Sequence, residues 1–239
     1  AEAAARWQES PPATADHPYL KRKGVGPHGT RVARDGWLLI PMRDAGGKLW
    51  NVERIAPGKP DDGGSDKKGL YRGRRTGCYF GIGRIGGAAA LCIVEGFATG
   101  APVHEATGYP VAVAFTAGNL LPVAKALRDK FPDLPLILCA DDDAHTAGNP
   151  GLTRATEAAR AVGGLVALPD FGADRPASVS DFNDLAAHRG AEAVRQAVER
   201  ANAPELPEAQ PSAPDAPAGD SGGGGWPEPQ SLDAAAEVA

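Results

Sequence analysis

The sequence has no run of about 18 or more apolar residues, which excludes a membrane-spanning helix. It also lacks a basic segment followed by a short apolar core near its start, so no secretory signal is expected from these residues. Cysteine is scarce. Cys78, Cys92 and Cys139 cannot pair into a disulfide framework and lack the close spacing of a zinc site. This pattern predicts a reducing, cytoplasmic setting. Aromatic residues make up only 6%, while 31 glycines and 22 prolines assign much of the length to turns and linkers. The first residue is Ala1 rather than methionine, from which a piece of a longer protein is expected. What remains still suffices for a core: 239 residues, 42% of them hydrophobic, can form one or two domains.

Charge is divided between the halves. Residues 1–90 carry 16 Lys and Arg against 9 Asp and Glu, whereas residues 91–239 carry 9 against 21. The division predicts a basic module joined to an acidic one. Four segments are expected. Residues 1–15 form a lead-in, either a short helix or loose chain. Residues 16–88 form a small, basic, β-rich unit. In it, Trp37-Leu38-Leu39-Ile40 and the alternating Leu49–Ile55 make a hairpin through Gly46-Gly47. Residues 59–69 are read as a flexible polar loop, and Gly69-Leu70-Tyr71 and Cys78-Tyr79-Phe80 as further short strands. Residues 203–239 hold seven prolines, seven acids and no Lys or Arg, which predicts a disordered tail or linker.

Residues 89–202 change rhythm. Four apolar strands are expected at residues 91–94, 111–114, 136–140 and 165–168. Helices are expected between them at 98–107, 120–130 and 152–162, with two more at 184–188 and 191–202. Apolar strands alternating with helices predict an α/β fold: a Rossmann-like parallel sheet covered on both faces.

Sites in such sheets form at the carboxyl ends of the strands, and two strands here end in acid. One leads into Glu95-Gly96, the other into Asp141-Asp142-Asp143. Along extended chain Asp141 and Asp143 project one way and Asp142 the other. Two carboxylates about 5 Å apart repel by roughly 3 kcal/mol at an effective dielectric near 20. A divalent cation removes that cost, and oxygen-only ligands select Mg²⁺ or Mn²⁺, whose other partner is usually phosphate. Gly96 and Gly100 leave room for a phosphate or a strand to approach. An acidic run after a strand can also simply cap the next helix, and Asp181 can be no more than the cap of a helix through Leu185.

The Glu-Gly strand end and the Asp-x-Asp strand end resemble the Toprim domain, shared by DnaG-type primases, topoisomerases and some nucleases. The resemblance sharpens over Val94–Thr99, Val103–Gly108, Ala117–Leu120, Cys139–Asp143 and Ser180–Leu185. With His17-Pro18-Tyr19-Leu20 and Lys23-Gly24-Val25 upstream, residues 16–202 are similar to the TraC-type primases of conjugative plasmids and related phages. By that resemblance Glu95, Asp141 and Asp143 are catalytic and metal-binding, Glu95 acting on the metals or on proton transfer. Asp184 adds a metal contact, and Gly96 and Asp181 contact nucleotide phosphates.

The implied reaction is primer synthesis from nucleoside triphosphates on a single-stranded DNA template during plasmid or phage replication or conjugative transfer. It requires Mg²⁺ or Mn²⁺ and involves no membrane. A helicase or other replication or transfer proteins are implied partners. Acids repel DNA, so the basic half is expected to hold the template through Arg72, Arg74 and Arg75 beside Tyr71, Tyr79 and Phe80, and through Lys21 and Lys23. DnaG-type primases carry a zinc module that the three scattered cysteines here cannot supply.

Other uses of the same residues are a Toprim nuclease and a non-catalytic single-strand-binding module. A phosphatase of the haloacid dehalogenase type places its Asp-x-Asp after the first strand, not the third, and a topoisomerase needs a partner domain with a strand-cleaving tyrosine. His145 is a solvated loop residue or a phosphate contact. His104 belongs to packing, and Cys92 and Cys139 are core thiols.

Overall fold

The computed structural model describes residues 2–60 and 64–204. The tail expected at 203–239 lies outside the described residues from 205 onward. Two sheets organise the molecule. The first is antiparallel and takes its strands in chain order: β1 (Arg31–Val32), β2 (Leu38–Arg43), β3 (Leu49–Ile55) and β4 (Lys67–Gly69). The β2–β3 turn is closed by Asp44, whose carbonyl accepts from Gly47 N–H at 2.8 Å and whose Oδ1 accepts from Lys48 N–H at 3.0 Å. Gly47 adopts φ +86°, which a side chain would resist.

The second sheet contains β5 (Phe80–Ile82), β6 (Leu91–Val94), β7 (Val111–Val113), β8 (Leu136–Cys139) and β9 (Leu165–Ala167), in the order β5-β7-β6-β8-β9. β6 to β9 are the four expected strands and run parallel, while β5 is an antiparallel edge. Side chains alternate in direction, so Cys92 and Val94 face one layer and Leu91 and Ile93 the other. α3 (Phe97–Thr107) and α6 (Phe182–Glu199) cover the first face. α4 (Leu120–Lys130) and α5 (Pro150–Val162) cover the second. Burial on both faces is why these strands are apolar throughout.

The inner face of the first sheet, with Leu38, Ile40, Met42 and Ile55, packs into the same core as Val94 and Phe97. Tyr19 and Leu20 of α2 (Pro18–Lys23) complete that junction. α1 (Glu2–Glu9) lies against the outer face through Ala3 and Trp7, so the lead-in is helical.

Four expectations are corrected. The loop at 59–69 ends in β4, because Lys67, Lys68 and Gly69 pair with Ile55, Arg54 and Glu53. Leu70 and Tyr71 are not strand: the chain turns there, Gly73 N–H donating to Leu70 O at 3.2 Å, and Tyr71 is exposed. Tyr79 bridges to Arg43 of β2, and Phe80 then pairs with Val113 of β7, so this segment joins the two sheets instead of extending the first. The two expected C-terminal helices are joined as α6, broken by Gly190 at φ +81°, ψ 174°.

Candidate active site

β6 ends in Glu95, and Gly96 then caps α3 in an extended conformation. The Glu95 carboxylate accepts from Ala117 N–H in the loop after β7. That loop is braced by Asn119, whose amide donates to Cys78 O at 2.9 Å and Ala114 O at 2.8 Å. On the next strand, β8 delivers Asp141. Asp181 stands at the N-cap of α6, where its Oδ1 accepts from Asp184 N–H at 2.8 Å and its Oδ2 accepts from the Thr99 hydroxyl at 3.3 Å.

Glu95, Asp141 and Asp181 line one cavity of about 300 Å³. Its opposite wall comes from the basic half: Lys23 of α2, Lys59, Asp66, Lys67 of β4 and Tyr19. Lys67 reaches the end of β6, where its Nζ lies 3.8 Å from the point a Cβ on Gly96 would occupy. Burial, then the charges of Asp181, Glu95 and Asp143, push Asp141 up to about 8, with Lys67 opposing. Burial also raises Glu95, against the Ala117 N–H and Lys67. Asp181 is raised chiefly by burial as well. The Oδ1 atom of Asp141 is buried with no hydrogen-bond partner. Among the described residues, no three His, Cys, Asp or Glu side chains stand close enough to hold a metal ion by themselves.

The remaining sequence-predicted residues are placed differently. Asp143 lies off the cavity wall: its Oδ2 accepts from Gly151 N–H at 3.3 Å, and its charge still raises Asp141 and Glu95. Asp184 closes a capping box, accepting from Ser180 N–H at 2.9 Å and Asp181 N–H at 3.4 Å. Lys21 pairs with Asp16 at 2.9 Å in the open, whereas Lys23 lines the cavity.

Outside the cavity wall, Arg72 lies over the exposed Tyr71 ring at 5.3 Å and Arg74 over Trp50 at 4.9 Å. Arg75 packs on Gly69, its Nη2 only 2.6 Å from where a Cβ would stand. Lys59, Lys67 and Tyr19 escaped the sequence reading. Tyr19 had a signal in the His17–Leu20 motif. Lys67 had none, because its place follows from pairing opposite Ile55.

Residues 89–167 match the Toprim domain model, so the strands and helices that carry Glu95 and Asp141 form a Toprim domain. Over 169 residues, 67% of the chain, the sequence is 42% identical to a DNA primase TraC of Escherichia coli, and it is 41% identical over 163 residues to a second. The chain spans 15% and 11% of those two proteins. Its fold is shared with the primase fragment of the bacteriophage T7 primase-helicase protein, at TM-score 0.56 and 18% identity, covering 80% of this chain and 77% of that one. The DnaG catalytic core superposes at TM-score 0.53 and 18% identity, covering 84% and 77%. The chain is therefore a Toprim-containing relative of the TraC-type primases.

Proposed function

We propose that this chain is the catalytic core of a DNA primase, joining nucleoside triphosphates into short primers on single-stranded DNA in plasmid or phage replication or conjugative transfer. The observation that carries this reading is the cavity itself, where Glu95, Asp141 and Asp181 face Lys23, Lys59 and Lys67. Carboxylates hold cations and ammonium groups hold phosphates, so the two walls suit the two ends of a metal–nucleotide complex.

The residues fit a divalent cation. Asp141 presents an orphaned, buried oxygen with other carboxylates around it, a donor set of oxygen atoms alone. Among the described residues no three acids close on one point, so a bound cation would take phosphate and water as its other ligands, as is usual for Mg²⁺. Asp141 and Glu95 are the residues to hold it, with Asp143 supplying charge from behind. When bound, Mg²⁺ or Mn²⁺ polarises the α-phosphate and neutralises the leaving pyrophosphate. Glu95 would act either on that cation or on the proton of the attacking 3′-hydroxyl. Lys67 and Lys23 offset charge on the triphosphate, and Lys67 also keeps the cavity acids from repelling it. Arg72 and Arg74, stacked on Tyr71 and Trp50, suit a single strand approaching from the basic half.

The test is incubation of the 239-residue chain with NTPs, Mg²⁺ or Mn²⁺ and single-stranded DNA. Oligonucleotide synthesis is expected, lost by at least 100-fold in Glu95→Gln and in Asp141→Asn with the fold retained. Strand cleavage instead of synthesis would assign the site to a nuclease. Full synthesis in either variant refutes the assigned roles.

A further inference from the structure

His17-Pro18-Tyr19-Leu20 takes no part in the chemistry described so far, yet the structure fastens it at both ends. His17 caps α2: its Nδ1 accepts from Tyr19 N–H at 3.2 Å, and its Nε2 lies 2.9 Å from Gly36 O. With Nδ1 accepting, the ring proton sits on Nε2 and is donated to Gly36. At the other end, Asn183 Nδ2 donates to Lys23 O at 2.7 Å, tying α2 to α6 two residues beyond Asp181. Gly24, at φ +65°, closes the helix. α2 is thereby fixed between the first sheet and the acidic wall.

Tyr19 and Lys23 stand four residues apart on this helix and share a face. Both line the cavity. Tyr19 is only 1% exposed, and Arg22 lies over its ring at 5.3 Å from the centroid. Its hydroxyl is nevertheless buried without any hydrogen-bond partner. Buried hydroxyls nearly always have one, and leaving one unpaired costs stability. Burial first, then the charges of Glu53 and Asp66, raise its pKa, so the group keeps its proton and remains a donor.

We propose that Tyr19 is a substrate-contacting residue, its phenolic O–H donating a hydrogen bond to a phosphate oxygen of a nucleotide bound in this cavity. The inference rests on the nucleotide reading of the site and adds a residue to it. A phosphate is favoured over a sugar or base because Lys23, Lys59 and Lys67 line the same space. Three ammonium groups gather around a polyphosphate, and an uncharged donor among them adds direction to their charge.

The test compares wild type with Tyr19→Phe, which removes one oxygen and nothing else. Binding of ATP and of tripolyphosphate, each with Mg²⁺, is measured by calorimetry, and Tm is measured without ligand. Tyr19→Phe is expected to weaken both ligands by about 10-fold or more. It is expected to raise the ligand-free Tm by roughly 2–4 °C, the orphan being gone. Unchanged affinity for both ligands overturns the inference and leaves the functional reading standing. A loss confined to ATP overturns the phosphate assignment. Absence of binding by wild type overturns the functional reading and this inference with it.

A second measurement does not depend on the variant. With the four tyrosines replaced by 3-fluorotyrosine, the fluorine resonance of Tyr19 is expected to shift when Mg²⁺ and tripolyphosphate are added together. A resonance that stays in place overturns the contact.

Discussion

Three consecutive aspartates do three different jobs. Asp141 enters the cavity with an unpaired oxygen. Asp142 turns away and is clamped by Arg175, which ties the strand end to the loop before α6, while its Oδ1 accepts from Asn149 at the start of α5 at 2.6 Å. Asp143 supports the turn into α5. Glu53 of β3 is a buried carboxylate within reach of the charges of Lys67 and Arg75. Burial pushes it up to about 7, with Lys67 and Arg75 opposing. A carboxyl group raised in the folded state contributes stability below its unfolded pKa, near 4.5, and loses that contribution as pH rises through about 7. Stability of wild type is therefore expected to fall between pH 4.5 and 7. In Glu53→Gln that fall should be smaller by on the order of 3 kcal/mol. Urea unfolding across this range measures it, and superimposable slopes would remove Glu53 as a titrating group.

At the level of elements, close packing of α3 on the sheet sets where Glu95 sits. A Cβ on Gly100 would stand 2.8 Å from Val94 Cγ2 and 3.0 Å from Val111 Cγ1. Of the two expected neighbours, a phosphate or a strand, it is the strands that fill the space at Gly100. Gly100→Ala is expected to push α3 outward and cost about 1–3 kcal/mol, read as a Tm lowered by several degrees. An unchanged Tm would mean that the helix has slack. α6 begins with equal definition: Asp181 and Asp184 close the capping box, and Asp181 does so while also lining the cavity. Asp181 is thus both the cap of α6 and part of the cavity lining. β4 had no such local signature, since three residues of Lys and Gly become strand only through pairing with β3.

For the whole molecule, the excess of positive charge in residues 1–90 and of negative charge in residues 91–239 translates into two walls of one cavity and a more distant basic surface. Arg72 and Arg74 lie on that surface over aromatic rings, outside the cavity wall. Arg72→Ala with Arg74→Ala is expected to weaken single-stranded DNA binding and to reduce its salt slope by up to about 1.4, near 0.7 for each lost phosphate contact. Fluorescence anisotropy with a labelled oligonucleotide at several salt concentrations checks this. An unaltered slope would route the strand elsewhere.

The parallel sheet was legible in the amino-acid order because strands buried on both faces must be apolar along their whole length. Glu95 and Asp141 were legible because each directly follows such a strand and strand ends gather at one edge. The basic wall was not. Tyr19, Lys59 and Lys67 come from a short helix, a loop and an edge strand whose local chemistry does not say what they face. Only the packing of the first sheet against α3 and α6 brings them opposite the acids, and such long-range pairing leaves no periodic trace along the chain.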